Sequence, residues 1–506
     1  MGFLVMGQLS RLLAAPRYTL LGSGILAFTL SNWLAFAIQD GANPLATLVM
    51  LGLLALGLGL MLAAVLARPA PPDGDRHGAD PPASTGADIA RGKAAAWRRV
   101  FALARPGASS ATPAGGFAVF RRLGALALSV LLVLSTCLTC LLAAYLLVTS
   151  SGSPRSYDSD AAAFNHYNAE LVLHGENPYT ADARFWDALR RFPSTGATPL
   201  RAGRYAASQF GPSLPQLVRD VRAEIADPSL RGPELDSASM HSYPALAFLV
   251  YVPGVWAGLP TTMLTSLLLL VAFLLAAVWG APRALWMPVA VLLLADSLLV
   301  ILTLRGSFDL IALLPALVAW RLLERRRLSP LLLGIACAVK QLVWPLVPFY
   351  VVIVWRREGA RAALARLPFV LAGFLAPNLP FLLASPRAWA TSLLLPVSLP
   401  IFPSGTGVVA LARAGLMPLL APAAYTLAAL LALAALLTWF ARARTMPPPE
   451  AALIVALLPY LLAWHSLMAY VVAVPALAVF ACLRLDAATR AKFRLGGAGA
   501  NGAEQR

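Results

Sequence analysis

The chain has 506 residues, 59% hydrophobic and only 12% charged, with a formal net charge of +17. A mean hydropathy of +0.73 puts it among polytopic membrane proteins and excludes an ordinary soluble domain. The positive charge is arginine gathered in short segments between apolar runs, which is the positive-inside pattern and not a nucleic-acid signature.

Apolar runs long enough to span, or nearly so, are predicted at 18–38, 43–66, 122–148, 243–258, 261–279, 284–304, 308–323, 329–354, 367–384, 417–440, 449–463 and 466–484. The first has no small-residue cleavage site and reads as a retained helix. Residues 1–67 are therefore expected to form a two-helix membrane hairpin. Residues 68–121, rich in Pro, Gly, Ala and Arg, read as a flexible cytoplasmic linker. A core at 122–484 and a cytoplasmic tail at 485–506 complete the organisation. Cys137, Cys140, Cys337 and Cys482 all fall in apolar runs and read as helix-packing residues.

The second polar segment, 149–242, carries nine arginines against eleven acids and is expected outside. Within it "DSDAAAFNHYNAELVLHG" reads as a helix capped by Ser159 or Asp160 and ended by Gly175. "ADARFWDALRRF" reads as a short interfacial helix. His166 and His174, eight apart, have no further ligand pattern and read as packing or surface residues; no metal site is expected.

Basic segments at 321–327, 355–366 and 441–444 all favour the cytoplasm, which forces an even number of crossings between them. The run 329–354 must then enter and return as two short helices, broken around Lys340 and Pro345. By the same parity 284–304 breaks at Asp296-Ser297. Half-helices of this kind are tolerated only where protein or a water-filled cavity covers the freed backbone. This topology gathers Asp158, Asp160, Arg305, Asp309, Lys340, the outer loop 385–407 and Trp464-His465 on the outer side.

Each of these has a plain reading beside a functional one. Lysine occurs only at 93, 340 and 492, so Lys340 either snorkels to the interface or holds an anionic headgroup. Asp158 and Asp160 are helix-cap or loop acids, or a general base at a membrane mouth. Arg305 and Asp309 have the i, i+4 spacing of an ion pair. No phosphate-cradling Gly-rich loop and no Ser-His-Asp elbow is present.

From about 122 to 484 the chain resembles the GT-C superfamily of polytopic glycosyltransferases. More narrowly it resembles the family of polyprenol-phosphate-mannose-dependent mannosyltransferases, family 87. The resemblance rests on "YDSDAAAFNHYNAELVLHGENPY" (157–179), "SYPALAFLVYVP" (242–253), "RGSFDL" with the later "ACAVKQLVWP", and "AWHSLMAYVVAVP". Ser307 stands where that family usually has Gln, and the outer loop after Tyr179 is long. It implies an all-α, GT-C-like bundle with short non-spanning helices and a large extracytoplasmic first core loop. It also implies inverting transfer of a sugar from a polyprenyl-phosphate donor to an envelope lipid or glycan acceptor on the extracytoplasmic face of the plasma membrane, with no cofactor, nucleotide or nucleic acid. Asp160, with Asp158 beside it, is then the expected base. Lys340 and Arg305 are expected to hold the donor phosphate, and Asp309, His465, Tyr179 and Gln341 to contact substrate. A transporter of lipid-linked sugars and an inactive GT-C relative are the alternatives.

Overall fold

The computed structural model describes residues 2–38, 43–67, 114–150, 157, 160–180, 184–192, 197–235 and 241–487. Most of the linker, most of the tail and Asp158 lie outside them. Among the described residues the chain is almost wholly helical, and six helices are long and apolar enough to cross a membrane.

The N-terminal unit is larger than a hairpin. A first helix, α1 (Gly2–Leu13), precedes α2 (Pro16–Ala37) and α3 (Pro44–Leu66). Proline opens α2 and α3, where its missing N–H costs nothing, and the Asn43 side chain caps α3 by accepting from the Ala46 amide at 3.0 Å. The two helices cross at glycines: a Cβ on Gly57 would sit 2.8 Å from the Phe28 nitrogen, and one on Gly24 2.9 Å from the Gly57 oxygen. Small residues let the backbones approach this closely where no hydrophobic effect drives helices together. The unit is packed into the core: Leu9, Leu13, Leu21 and Ile25 belong to the same buried cluster as the central helices.

The helix α4 (Ala114–Ser150) leads to α5 (Asp160–Leu173), which ends at Gly175 with φ +76°, a left-handed stop that glycine accepts freely. The polar segment then forms α6 (Phe185–Arg191), the interfacial helix expected there, and α7 (Leu214–Ala226). Cys137 and Cys140 are exposed on α4, so they do not pack against other helices as expected; Cys337 and Cys482 are buried.

Both breaks occur at the expected residues, but they differ in kind: the one near Lys340 turns the chain back, whereas 284–304 runs from the Arg321 side of the bundle to the Asp160 side as one bent crossing, not as two returning half-helices. After α8 (Met263–Val278), α9 (Trp286–Leu294) and α10 (Ser297–Leu304) meet at a bend of 69° with Asp296 at the break. The bend is tied to α4, whose Ser135 Oγ donates to the Ala295 carbonyl at 2.6 Å and whose Thr136 Oγ1 joins the Ala295 amide on the Val291 carbonyl at 3.0 Å. Next, α11 (Asp309–Arg321) precedes α12 (Leu328–Cys337) and α13 (Leu346–Glu358), which flank the break around Lys340. There the Leu246 amide donates to Ala338 at 3.1 Å, and the Tyr460 hydroxyl reaches the carbonyls of Gln341 and Leu342 at 3.3 Å.

The remaining helices are α14 (Ala360–Ala384), α15 (Pro386–Ser398), α16 (Pro422–Arg442) and α17 (Met468–Ala487). The expected outer loop 385–407 is thus half helical. The expected spans 243–258 and 449–463 are chains of short helical turns interrupted by Pro253 and Pro459. A two-residue parallel ladder, β1 (Ser404–Gly405) with β2 (His465–Ser466), ties the loop after α15 to the start of α17.

One end of the bundle is strongly basic. There Arg17 pairs with Asp486 and donates to the Ala67 carbonyl, and Arg484 reaches Glu450 and the Arg321 carbonyl at 3.3 and 3.2 Å. Arg366 pairs with Glu358 and donates to the Leu323 carbonyl at 2.8 Å, and Arg356 closes on the Phe440 carbonyl at 2.9 Å. Asp160, Arg305, Asp309 and Lys340 lie at the opposite end.

Candidate functional site

The site is organised by the turn between α10 and α11. Gly306 there has φ +101°, and a Cβ on it would fall 2.4 Å from the Cβ of Ala162. The first turn of α5, which Asp160 opens, therefore lies directly on the Arg305-Gly306 turn. Only glycine admits both the backbone angle and the approach.

Asp160 is half-buried. Its Oδ2 accepts from Thr198 Oγ1 at 2.7 Å and its Oδ1 from the Ala161 amide at 2.7 Å. Burial raises its pKa above the ordinary carboxylate range, and those hydrogen bonds offset part of the rise. A carboxylate so held is a stronger base than a solvated one.

Lys340 is buried at 7% exposure and its Nζ lies 2.6 Å from Asp309 Oδ1, itself on a residue 3% exposed. Ser307 Oγ donates to the other carboxylate oxygen at 2.8 Å. The ammonium also stands 4.3 Å from the ring centre of Phe308, 5.4 Å from Tyr470 and 5.5 Å from Tyr243. Ion pairing and three aromatic faces together replace the water that a lone lysine would need at this depth. Lys340 thus neither snorkels outward nor stands uncompensated, and Asp309 finds its cation in the break between α12 and α13, not at the i, i+4 position.

Ser307, in the place where the resembling family has Gln, is the residue that completes Asp309. Gln341 braces the break, donating from Nε2 to the Ser242 carbonyl at 2.8 Å. Tyr179 is buried among Phe248 and Phe381 and donates to the Tyr243 carbonyl at 2.8 Å. It fixes the backbone of a ring that faces Lys340. His465 pairs through Nδ1 with Ser404 Oγ at 2.6 Å, across the β1–β2 ladder. Arg305 is exposed at the end of α10 and lines a cavity that also takes in Ser404 and Thr406. His166 packs, as expected: it is buried, stacked on Phe192 with ring centres 4.0 Å apart, and bonded to the Tyr157 hydroxyl at 2.7 Å.

Compared with known proteins, the chain matches no family model, no curated protein and no solved structure. The reading of the site therefore stands on its own residues.

Two of those residues carry no weight in the sequence reading. Thr198, the partner of Asp160, lies 38 positions away in "STGATP", and nothing local marks it. Arg413 lines the same cavity as Arg305. A signal for it exists, since it is one of two arginines, with Arg387, in a stretch that parity puts outside, against the charge bias of the chain. Among the described residues no group of three His, Cys, Asp or Glu side chains is arranged to hold a metal.

Proposed function

We propose that this protein is an integral membrane glycosyltransferase of GT-C type that uses a polyprenyl-phosphate sugar. In this reading the basic end faces the cytoplasm and the Asp160 end faces outward. The carrying observation is the seating of Asp160 on the Arg305-Gly306 turn, which joins a carboxylate of raised proton affinity to a cation in one packed unit.

In the proposed reaction Asp160 takes the proton of the acceptor hydroxyl. The acceptor oxygen bonds to the anomeric carbon from the face opposite the leaving group, and the bond from that carbon to the phosphate oxygen breaks. The lipid phosphate leaves with the bonding pair. Arg305 offers that charge a bidentate partner. Lys340, already neutralised by Asp309, holds the turn that presents Arg305 and sits behind the phosphate.

The test is transfer of radiolabelled sugar from polyprenyl-phosphate hexoses to an envelope-lipid extract by the purified protein. A positioned base typically contributes 10²–10⁴-fold, so Asp160→Asn is expected to lose about that factor while remaining folded. Undiminished transfer by this variant would remove Asp160 from the mechanism. The two broken spans also suit a transporter of lipid-linked sugars. Movement of labelled lipid across liposomes with no sugar transfer would select that reading instead.

A further inference from the structure

A cavity of about 530 Å³ opens between the N-terminal helices and the core, beside the Arg305 turn. That volume is within the roughly 300–1,000 Å³ of small-molecule sites. Its walls divide by chemistry. Phe36 and Met50 of α2 and α3, with Leu302 of α10, make an apolar side, while Arg305, Thr406 and Arg413 make a polar one. No acid is among the described residues that line it.

The N-terminal wall is fixed in place. Trp33 of α2 donates from Nε1 to Ser297 Oγ of α10 at 3.0 Å. At the far end Tyr18 donates to Asp486 of α17 at 2.7 Å, beside the Arg17–Asp486 pair. Within the unit, Ser31 Oγ closes on the Met50 carbonyl at 2.8 Å. The N-terminal helices are thus joined to the core at both ends.

We propose that α2 and α3 form one wall of a binding pocket for a lipid with a phosphate headgroup, in which Arg305 and Arg413 meet the phosphate and Phe36 and Met50 the first carbons of the tail. A free anion would gain nothing from the apolar wall, and an uncharged lipid nothing from two guanidinium groups, whose flat forks suit phosphate oxygens. The occupant is therefore an amphiphile with its charge at the membrane edge. The assignment deepens the donor side of the proposed reaction and rests on that reading only for the polyprenyl character of the tail.

The test is equilibrium binding of geranylgeranyl phosphate to the purified full chain in detergent, without sugar or acceptor, compared with geranylgeraniol and inorganic phosphate. Arg413→Gln and Phe36→Ser change exposed side chains and are checked for a monodisperse peak. Each is expected to weaken the lipid phosphate at least threefold, and each comparison compound to bind at least tenfold more weakly than it. Smaller effects from both variants, or equal binding of inorganic phosphate or of the alcohol, would overturn the pocket. Weakened binding in both variants with sugar transfer intact would overturn the link between this pocket and the donor of the proposed reaction. Binding intact without transfer would remove only the glycosyltransferase.

Discussion

The Lys340–Asp309 pair gives the sharpest test of how this site is held. Both residues are nearly inaccessible, the charged atoms are 2.6 Å apart, and the second carboxylate oxygen is bonded to Ser307. Lys340→Met leaves a buried carboxylate with one hydroxyl for company. Removing one partner of such a pair typically costs about 3–5 kcal/mol, and this variant is expected near the upper end. Asp309→Asn leaves the ammonium among Phe308, Tyr470 and Tyr243, whose faces can each return about 0.5–2 kcal/mol to a desolvated cation. It is therefore expected to destabilise by about 1–3 kcal/mol less than Lys340→Met. The double change Lys340→Met with Asp309→Leu removes both charges and is expected to recover most of the loss. Unfolding by SDS titration in mixed micelles, run as a double-mutant cycle, measures all three. A loss below about 1 kcal/mol in Lys340→Met, or strict additivity in the double variant, would show that the two charges are not a mutually dependent buried pair.

Gly306→Ala is expected to destabilise by about 1–3 kcal/mol, because the new methyl meets Ala162 in a left-handed backbone position; pairing it with Ala162→Gly should recover the steric part only, as read by the same titration. In the polar segment, Glu224 is fully buried against Arg204, and burial raises its pKa from the ordinary 4.5 to about 7. Since the folded state holds this proton more tightly, its stabilisation is complete below about 4.5 and is lost as pH rises through about 7. Proteolysis of the segment should therefore be slower at pH 6 than at pH 8, and Glu224→Gln should flatten that difference. Transfer that depends on ionised Asp160 should fall as pH drops through its raised pKa, so the acidic limb of the rate profile should lie above the range of an ordinary aspartate; Thr198→Val, which removes a hydrogen bond to the ionised form, should move that limb further up.

Much of the fold was legible because charge and membrane thickness are strong constraints. Arginine placement required breaks near Asp296 and Lys340, and both breaks occur there; only the one near Lys340 returns the chain to the basic end, whereas the stretch from Gly280, beside Arg321, to Arg305 crosses the bundle with a bend. The third helix of the polar segment, α7, and the half-helical stretch after Ser385 were less legible. Outside the bilayer, propensity and packing compete on nearly equal terms, and parity has nothing to say. At the site the sequence marked Lys340 as unusual yet gave no means of finding its partner. The i, i+4 spacing favoured Arg305 with Asp309, whereas the fold offers Asp309 a cation from across the break with three aromatic rings behind it. Thr198 and Arg413 were invisible or overlooked for a related reason, because their meaning comes only from distant neighbours.

The two breaks bear directly on what the site can do. The carbonyls around the two breaks accept further hydrogen bonds from other helices, from Ser135 and Thr136 at one and from Tyr460 and the Leu246 amide at the other. Such donors fix each break to a neighbouring helix, so the α10–α11 turn and Lys340 have little freedom to drift apart. A buried ion pair needs that rigidity, because its attraction offsets desolvation only at close and constant distance. Once the pair is fixed, so is the turn that carries Arg305 and the helix that begins at Asp160. The carboxylate, held by Thr198 and the Ala161 amide, and the turn that carries the arginine are then kept in register by the Gly306–Ala162 contact.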